Sequence, residues 1–98
     1  MEKLEFDYPS AKRRVTRKAY VGVVGSGDME ILMEPAKSGI AHVSVLTRVN
    51  GFGSSWMAVF DRFLSKYDGA VRIHIIDAGA TPGSVMLRLE QAAEVIES

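Results

Sequence analysis

The sequence predicts an α+β fold: a two-layer sandwich with a mainly antiparallel sheet of four to five strands and two helices packed on one face. Three observations lead there. Apolar residues alternate with period two in four short stretches, and a fifth is rich in β-branched residues. The period changes to a helical one in two longer stretches, each with a single apolar face to bury. Several connections are of hairpin length, which favours antiparallel neighbours, and the two apolar helix faces then share one side of the sheet.

The elements follow in order. Leu4, Phe6 and Tyr8 alternate with Glu5 and Asp7 over 2–8, a half-buried strand stopped by Pro9. Residues 10–18 read as a polar connector, with Lys12, Arg13, Arg14, Arg17 and Lys18 close together. The β-branched-rich run AYVGVV predicts a second strand over 19–24. Gly25 to Asp28 form a turn, and a third strand covers 29–34 with Met29, Ile31 and Met33 on one face. After a turn over 35–39, a long strand is expected over 40–49, with Ala41, Val43, Val45 and Val49 sharing a face. Asn50-Gly51 marks a tight turn.

Trp56, Val59, Phe60, Phe63, Leu64 and Tyr67 then fall at helical spacing, and Ser54 or Ser55 is placed to cap that helix. Asp68-Gly69 ends it. Val71, Ile73 and Ile75 alternate with Arg72 and His74 in a fifth strand. Thr81 as N-cap and Pro82 at the first helical position open the last helix. That helix buries Val85, Met86, Leu89, Ala92, Ala93 and Ile96, while Leu87 points away from the stripe.

The 98 residues make one domain, 1–98, with no internal repeat and no dividing linker. Twelve basic and twelve acidic side chains cancel, so bulk charge points to neither nucleic acid nor a membrane surface. The chain has no cysteine, which removes disulfides, thiolate zinc sites and any thiol of its own. The N-terminal MEKLEFDYPS lacks a signal-peptide pattern, and no apolar run reaches the roughly 20 residues that span a bilayer. A small soluble, cytoplasmic domain is the expectation.

The stretch VVGSGDMEILMEP holds the residue of most interest, Ser26, between Gly25 and Gly27 with Asp28 following. Gly, Ser and Asp all suit a hairpin corner. Three enzyme motifs fail at this place. A nucleophile elbow needs glycines two residues either side of the serine, where Val24 and Asp28 stand. A dinucleotide fingerprint counted from Gly25 needs a glycine at Glu30, and one counted from Gly22 needs one at Val24. A phosphate loop needs G-K-[ST] before a helix, and here a strand follows. His42 and His74 lie in strands and read as surface or satisfied histidines rather than catalytic bases.

What sets Ser26 apart is access, because flanking glycines let another protein's active site close over its hydroxyl. Asp28 could orient that hydroxyl or help hold a metal-bound nucleotide presented by a modifying enzyme. DAGATPGSV, from Asp77 to Val85, reads as a glycine-rich loop with an ordinary cap, and anion binding at the helix start is its alternative. The basic connector reads as a solvated segment or an attractor of polyanions. No metal-ligand spacing is present.

Taken together, VGVVGSGDMEILMEP, VNGFGSSW and DAGATPGSVMLRLEQ resemble the acyl carrier protein, or delta subunit, of bacterial malonate decarboxylase, over nearly the whole chain. The resemblance implies a carrier with no catalytic residue of its own. Its V-G-S-G-D serine, Ser26 here, carries a phosphodiester-linked prosthetic group, 2'-(5''-phosphoribosyl)-3'-dephospho-CoA, whose thiol holds acetyl and malonyl thioesters. Gly25, Gly27 and Asp28 form the supporting turn. The implied partners are the acyl-carrier transferase (alpha) subunit, the decarboxylase (beta and gamma) subunits, a malonyl transferase and the prosthetic-group transferase. Neither nucleic acid nor a membrane is among them, and no resident metal is implied. A citrate-lyase-type carrier is the nearest relative, and an unmodified α+β interaction module with a face formed by Leu87 and the basic connector is the other reading. Ordinary acyl carrier proteins, acidic helical bundles with a D-S-L motif, differ from this chain on every count.

Overall fold

The structure, a computed structural model, describes residues 1–9, 11–22, 29–37 and 39–98. The elements are β1 (Glu2–Tyr8), β2 (Arg13–Arg14), β3 (Ala19–Gly22), β4 (Met29–Pro35), β5 (Ala41–Thr47), α1 (Gly53–Lys66), β6 (Gly69–Asp77) and α2 (Pro82–Glu97). The main sheet runs β1-β5-β6-β4-β3. Three of its pairings are antiparallel, β1 with β5, β3 with β4 and β4 with β6, while β5 and β6 run parallel. The expected two-layer α+β architecture is therefore present.

The parallel pair follows from α1. A helix between two strands carries the chain back along the sheet, so the second strand can lie beside the first in the same direction. Consequently β6 lies between β4 and β5, which are neighbours in sequence, and pairs with both. Both β5 and β6 end toward a helix start, at Thr47 and Asp77.

The pleat sorts side chains to two faces. Ile31, Met33, Val43, Val45, Val71, Ile73 and Ile75 are almost wholly buried and join Trp56, Phe60, Phe63, Val85 and Leu89 in one core. Phe60 packs against Phe6 and Trp56, with ring centroids 5.3 and 5.8 Å away. Burial of core side chains of this size contributes about 1.5–3 kcal/mol each. The opposite face carries His42 and His74. His42 Nδ1 contacts Asp7 and its Nε2 lies 3.4 Å from Glu5, while His74 Nε2 lies 3.1 Å from Glu34. Both histidines are satisfied on the sheet, as their strand positions suggest.

Three local expectations are corrected. The strand expected over 40–49 is Ala41–Thr47, and Val49 stands exposed beyond its end rather than sharing the core face. Neither Ser54 nor Ser55 caps α1: both lie in its first turn, the N-cap is Phe52, and no side chain caps it. The Trp56 amide donates to the Phe52 carbonyl, so burying Trp56 fixes the phase and start of the helix. The 10–18 connector is also more than a solvated segment. Arg13 and Arg14 pair parallel with Gly69 and Ala70, ahead of the point where β5 joins β6, and Val15 is buried in the core. Arg13 Nε and Nη1 donate to Asp68 and Glu97, each at 2.9 Å, and its guanidinium lies 5.5 Å from the Tyr67 ring centre. The start of α2 is as expected: Thr81 Oγ1 accepts from the Ser84 amide at 3.2 Å, with Pro82 at the first turn.

Candidate functional site

Gly25, Ser26, Gly27 and Asp28 lie outside the described residues, as do Val23 and Val24. The two residues that bracket this segment are placed. Gly22 ends β3 and its neighbour across the ladder is Glu30, whereas Met29 opens β4 and pairs with Asp77. Tyr20, two residues back on β3, donates its hydroxyl to Glu30, and this bond holds the phenol's pKa above the ordinary tyrosine value. The chain therefore enters and leaves the G-S-G-D segment at the end of the sheet where β5 and β6 also terminate.

That end of the sheet is built around Thr47 and Asp77, the only polar side chains buried in the core among the described residues. The Thr47 hydroxyl donates to Asp77 Oδ2 at 2.8 Å. Asp77 also accepts from the Gly79 amide at Oδ2, 3.1 Å, and from the Ala80 amide at Oδ1, 2.9 Å. Thr47 Oγ1 in turn accepts from the Val49 amide at 3.1 Å, and the Arg48 amide donates to the Asp77 carbonyl at 3.1 Å. The first bond joins the two strand ends, and the others tie the two strand-to-helix loops to that floor.

Gly79 has φ of +123°, a conformation that a Cβ would strain, and it lets the loop fold back over the Asp77 carboxylate. Asp77 takes the Gly79 and Ala80 amides and Thr81 takes that of Ser84, so the loop carries an ordinary cap of its own.

Between the two loops opens a cleft of about 240 Å³. The first turns of α1 and α2 form its walls through Phe52, Trp56, Pro82 and Val85, and Val49 sits at its lip. Its surface is mostly apolar. Sequence reasoning did not find this cleft. The Asp77-Ala-Gly79 spacing signals a side chain bonding its own downstream backbone, but the Thr47 partner is thirty residues away in sequence.

Elsewhere, Tyr67 donates to Glu97 at 2.7 Å and Tyr8 to Asp61 at 2.6 Å. Burial, reinforced by each carboxylate, pushes both phenols above the ordinary tyrosine range. Arg13 foremost, with Tyr67, holds Glu97 below the usual carboxylate value. Tyr8 thus ties β1 to the body of α1, Tyr67 and Arg13 hold the end of α2, and Leu87 stands exposed on α2. Among the described residues no three His, Asp or Glu gather as metal ligands, and no helix is long and apolar enough to cross a membrane.

Comparison with known proteins is consistent along the chain. The family described as "Malonate decarboxylase delta subunit (MdcD)" matches residues 16–96, a span that takes in Ser26. A malonate decarboxylase acyl carrier protein of Azotobacter vinelandii is 44% identical over 99 residues, covering 100% of this chain and 99% of its own length. Another from Pseudomonas aeruginosa is 48% identical over 95 residues, covering 96% and 95% respectively. A chain in the crystal structure of a Pseudomonas malonate decarboxylase hetero-tetramer in complex with malonate superposes with a TM-score of 0.89. It is 46% identical, over 98% of this chain and 99% of that one.

Proposed function

The chain belongs to the malonate decarboxylase delta-subunit family of acyl carrier proteins, and we propose that Ser26 is where it carries its acyl group, through a phosphodiester to phosphoribosyl-dephospho-CoA. The observation that carries this reading is the V-G-S-G-D segment, inside the family match and bracketed by two antiparallel strands. Family membership also decides for the malonate system over the citrate-lyase type.

The chemistry of the chain fits such a group. A thioester needs a thiol, and the sequence has no cysteine, so the thiol must be brought in. When attached, the group supplies that thiol and lets malonate be decarboxylated as a thioester, whose carbonyl delocalises the charge left by carbon dioxide. The chain's own residues present and position. Ser26 offers the hydroxyl that receives the phosphate, Gly25 and Gly27 remove side chains from beside it, and Asp28 orients it or meets the metal-bound nucleotide of the modifying enzyme. The β3–β4 pair holds both ends of the segment on a rigid sheet. Tethering converts each encounter between acyl group and partner into a local one.

The chain contributes no catalytic group to the cycle and works in the cytoplasm. The transferase (alpha) subunit exchanges acetyl for malonyl with release of acetate, and the beta and gamma subunits decarboxylate, which regenerates the acetyl form. A malonyl transferase and the prosthetic-group transferase are its further partners.

The decisive measurement is the intact mass of the chain purified from cells that express its neighbouring genes, followed by peptide mapping. A single increment equal to phosphoribosyl-dephospho-CoA on the peptide holding Ser26 is the expected result. An unmodified mass, with the modifying enzyme shown to act on a known carrier, would overturn the reading.

A further inference from the structure

The cleft between the starts of α1 and α2 has no part in attachment, yet it opens at the end of the sheet where the G-S-G-D segment begins and ends. We propose that it is an intramolecular binding site for the acetyl-thioester tip of the carried arm, one that shelters the acetyl form and excludes the malonyl form. This deepens the assignment of Ser26 as the attachment residue and rests on it.

Placement comes first. Asp77 lies in the cleft and pairs with Met29, the residue that follows the segment. Neighbouring strands stand about 4.8 Å apart, so the segment's C-terminal end leaves the sheet one strand from the cleft floor. The cleft also sits beyond the carboxyl ends of the two parallel strands, β5 and β6, where open sheets with following helices form their binding crevices.

Size narrows the ligand. At about 240 Å³ the cleft falls below the roughly 300–1,000 Å³ of ordinary small-molecule pockets. It is too small for the nucleotide part of the group and suited to a short tip.

Chemistry narrows it further. Phe52 is 52% exposed and Val49 37%, although both border an apolar cleft, so an apolar occupant would cover surface that now faces water. The polar groups at the floor are already bonded to one another and to the loop amides. No Lys, Arg or His lines the cleft among the described residues, and one carboxyl group, that of Asp77, does. A neutral acetyl thioester loses little on entering. A malonyl carboxylate would give up its hydration beside Asp77 and find no cationic side chain, a loss that the free amides at the uncapped start of α1 offset only in part.

The walls therefore hold the resting acetyl form away from hydrolysis, in which water adds hydroxide to the acetyl carbonyl and a proton to the departing sulfur. The malonyl form stays outside, available to the decarboxylating subunits.

The test uses the chain modified in cells, verified by intact mass, and loaded with 13C-labelled acetyl or malonyl. Nuclear Overhauser contacts from the acetyl methyl to the Trp56 ring and the Val85 methyls are expected, and none from the malonyl methylene. A tip docked about nine-tenths of the time hydrolyses about tenfold more slowly than a free one. Ala80→Phe, which fills the cleft from a half-buried position, removes the contacts and restores the fast rate. Phe52→Ala opens the lip at an exposed side chain and shifts the rate the same way with the unfolding midpoint retained. A loaded chain of correct mass with no contacts to Trp56 or Val85, or with equal contacts from both acyl forms, overturns the cleft proposal and leaves the attachment at Ser26 standing. Absence of the mass increment overturns the attachment, and the cleft proposal with it.

Discussion

The hydroxyl of Thr47, at the end of β5, donates to the carboxylate of Asp77, at the end of β6, across 2.8 Å and inside the core. Two parallel strands that each run into a helix are thereby joined at their carboxyl ends by side chains as well as by the ladder. Because Asp77 also accepts from the Gly79 and Ala80 amides, and Thr47 from the Val49 amide, the pair shapes both loops around the cleft.

Removing the Thr47 hydroxyl tests this directly. Thr47→Val keeps the volume and leaves a buried carboxylate one donor short, a loss of about 1–3 kcal/mol. Urea unfolding measures it. In a double-mutant cycle with Asp77→Asn the coupling is expected at about 0.5–3 kcal/mol, since the two groups share one network. Additive losses would mean that the two side chains act separately.

Gly69 at the start of β6 is required by its neighbour rather than by its backbone angles. A Cβ there would stand 2.6 Å from the Tyr67 hydroxyl oxygen, and the ring is held by Glu97, by stacking on Phe63 and by Arg13. Gly69→Ala therefore displaces a pinned ring, at a cost of about 1–3 kcal/mol for an overpacked site. Denaturant unfolding reads the loss, and Tyr67→Ala in the same chain should recover part of it. A harmless Gly69→Ala would show that the ring moves freely.

The Arg13–Glu97 pair makes a prediction about acid. Glu97 is held below the ordinary carboxylate value by Arg13 first and Tyr67 second. Its folded value is the lower one, so its contribution is complete above about pH 4.3, the unfolded value, and is lost as pH falls through the folded value. The pair is exposed, with side chains 41% and 40% accessible, so the effect on global stability is small and the site-specific titration is the better readout. Carboxyl NMR should show Glu97 titrating low, and Arg13→Gln should move it upward. An unmoved Glu97 would assign the shift to Tyr67 alone.

How much of this was legible in the sequence depends on how local each cause is. Alternation marked β1, β4 and β6, and Thr81-Pro82 marked the start of α2, because period and cap are properties of adjacent residues. The two-residue β2 has no period to read, and its existence depends on Gly69 and Ala70 more than fifty residues away. Alternation in β5 and β6 gave their faces but not their parallel pairing, which α1 decides. Ser54 and Ser55 were both chemically suitable caps, and the burial of Trp56, not capping, set the helix start. Of the candidate site, Ser26 was singled out by its glycine neighbours and by resemblance, whereas the Thr47–Asp77 floor is a contact across the sheet that no local window contains.

Ser26→Ala separates the two meanings of the G-S-G-D segment. If Ser26 were only a hairpin corner, losing its hydroxyl would change nothing beyond turn stability. As the attachment residue, the same change abolishes the mass increment in cells that contain the modifying enzyme. On the attachment reading the hydroxyl serves the arm rather than the fold, so unfolding should stay within about 0.5 kcal/mol of the parent. Co-purification of the same variant with partner subunits reads docking separately from attachment. A Ser26→Ala chain that still gains the increment would move the attachment to another hydroxyl, and a chain that loses the increment only because it unfolds would show a lowered midpoint. The two measurements taken on one sample therefore distinguish a lost nucleophile from a lost fold.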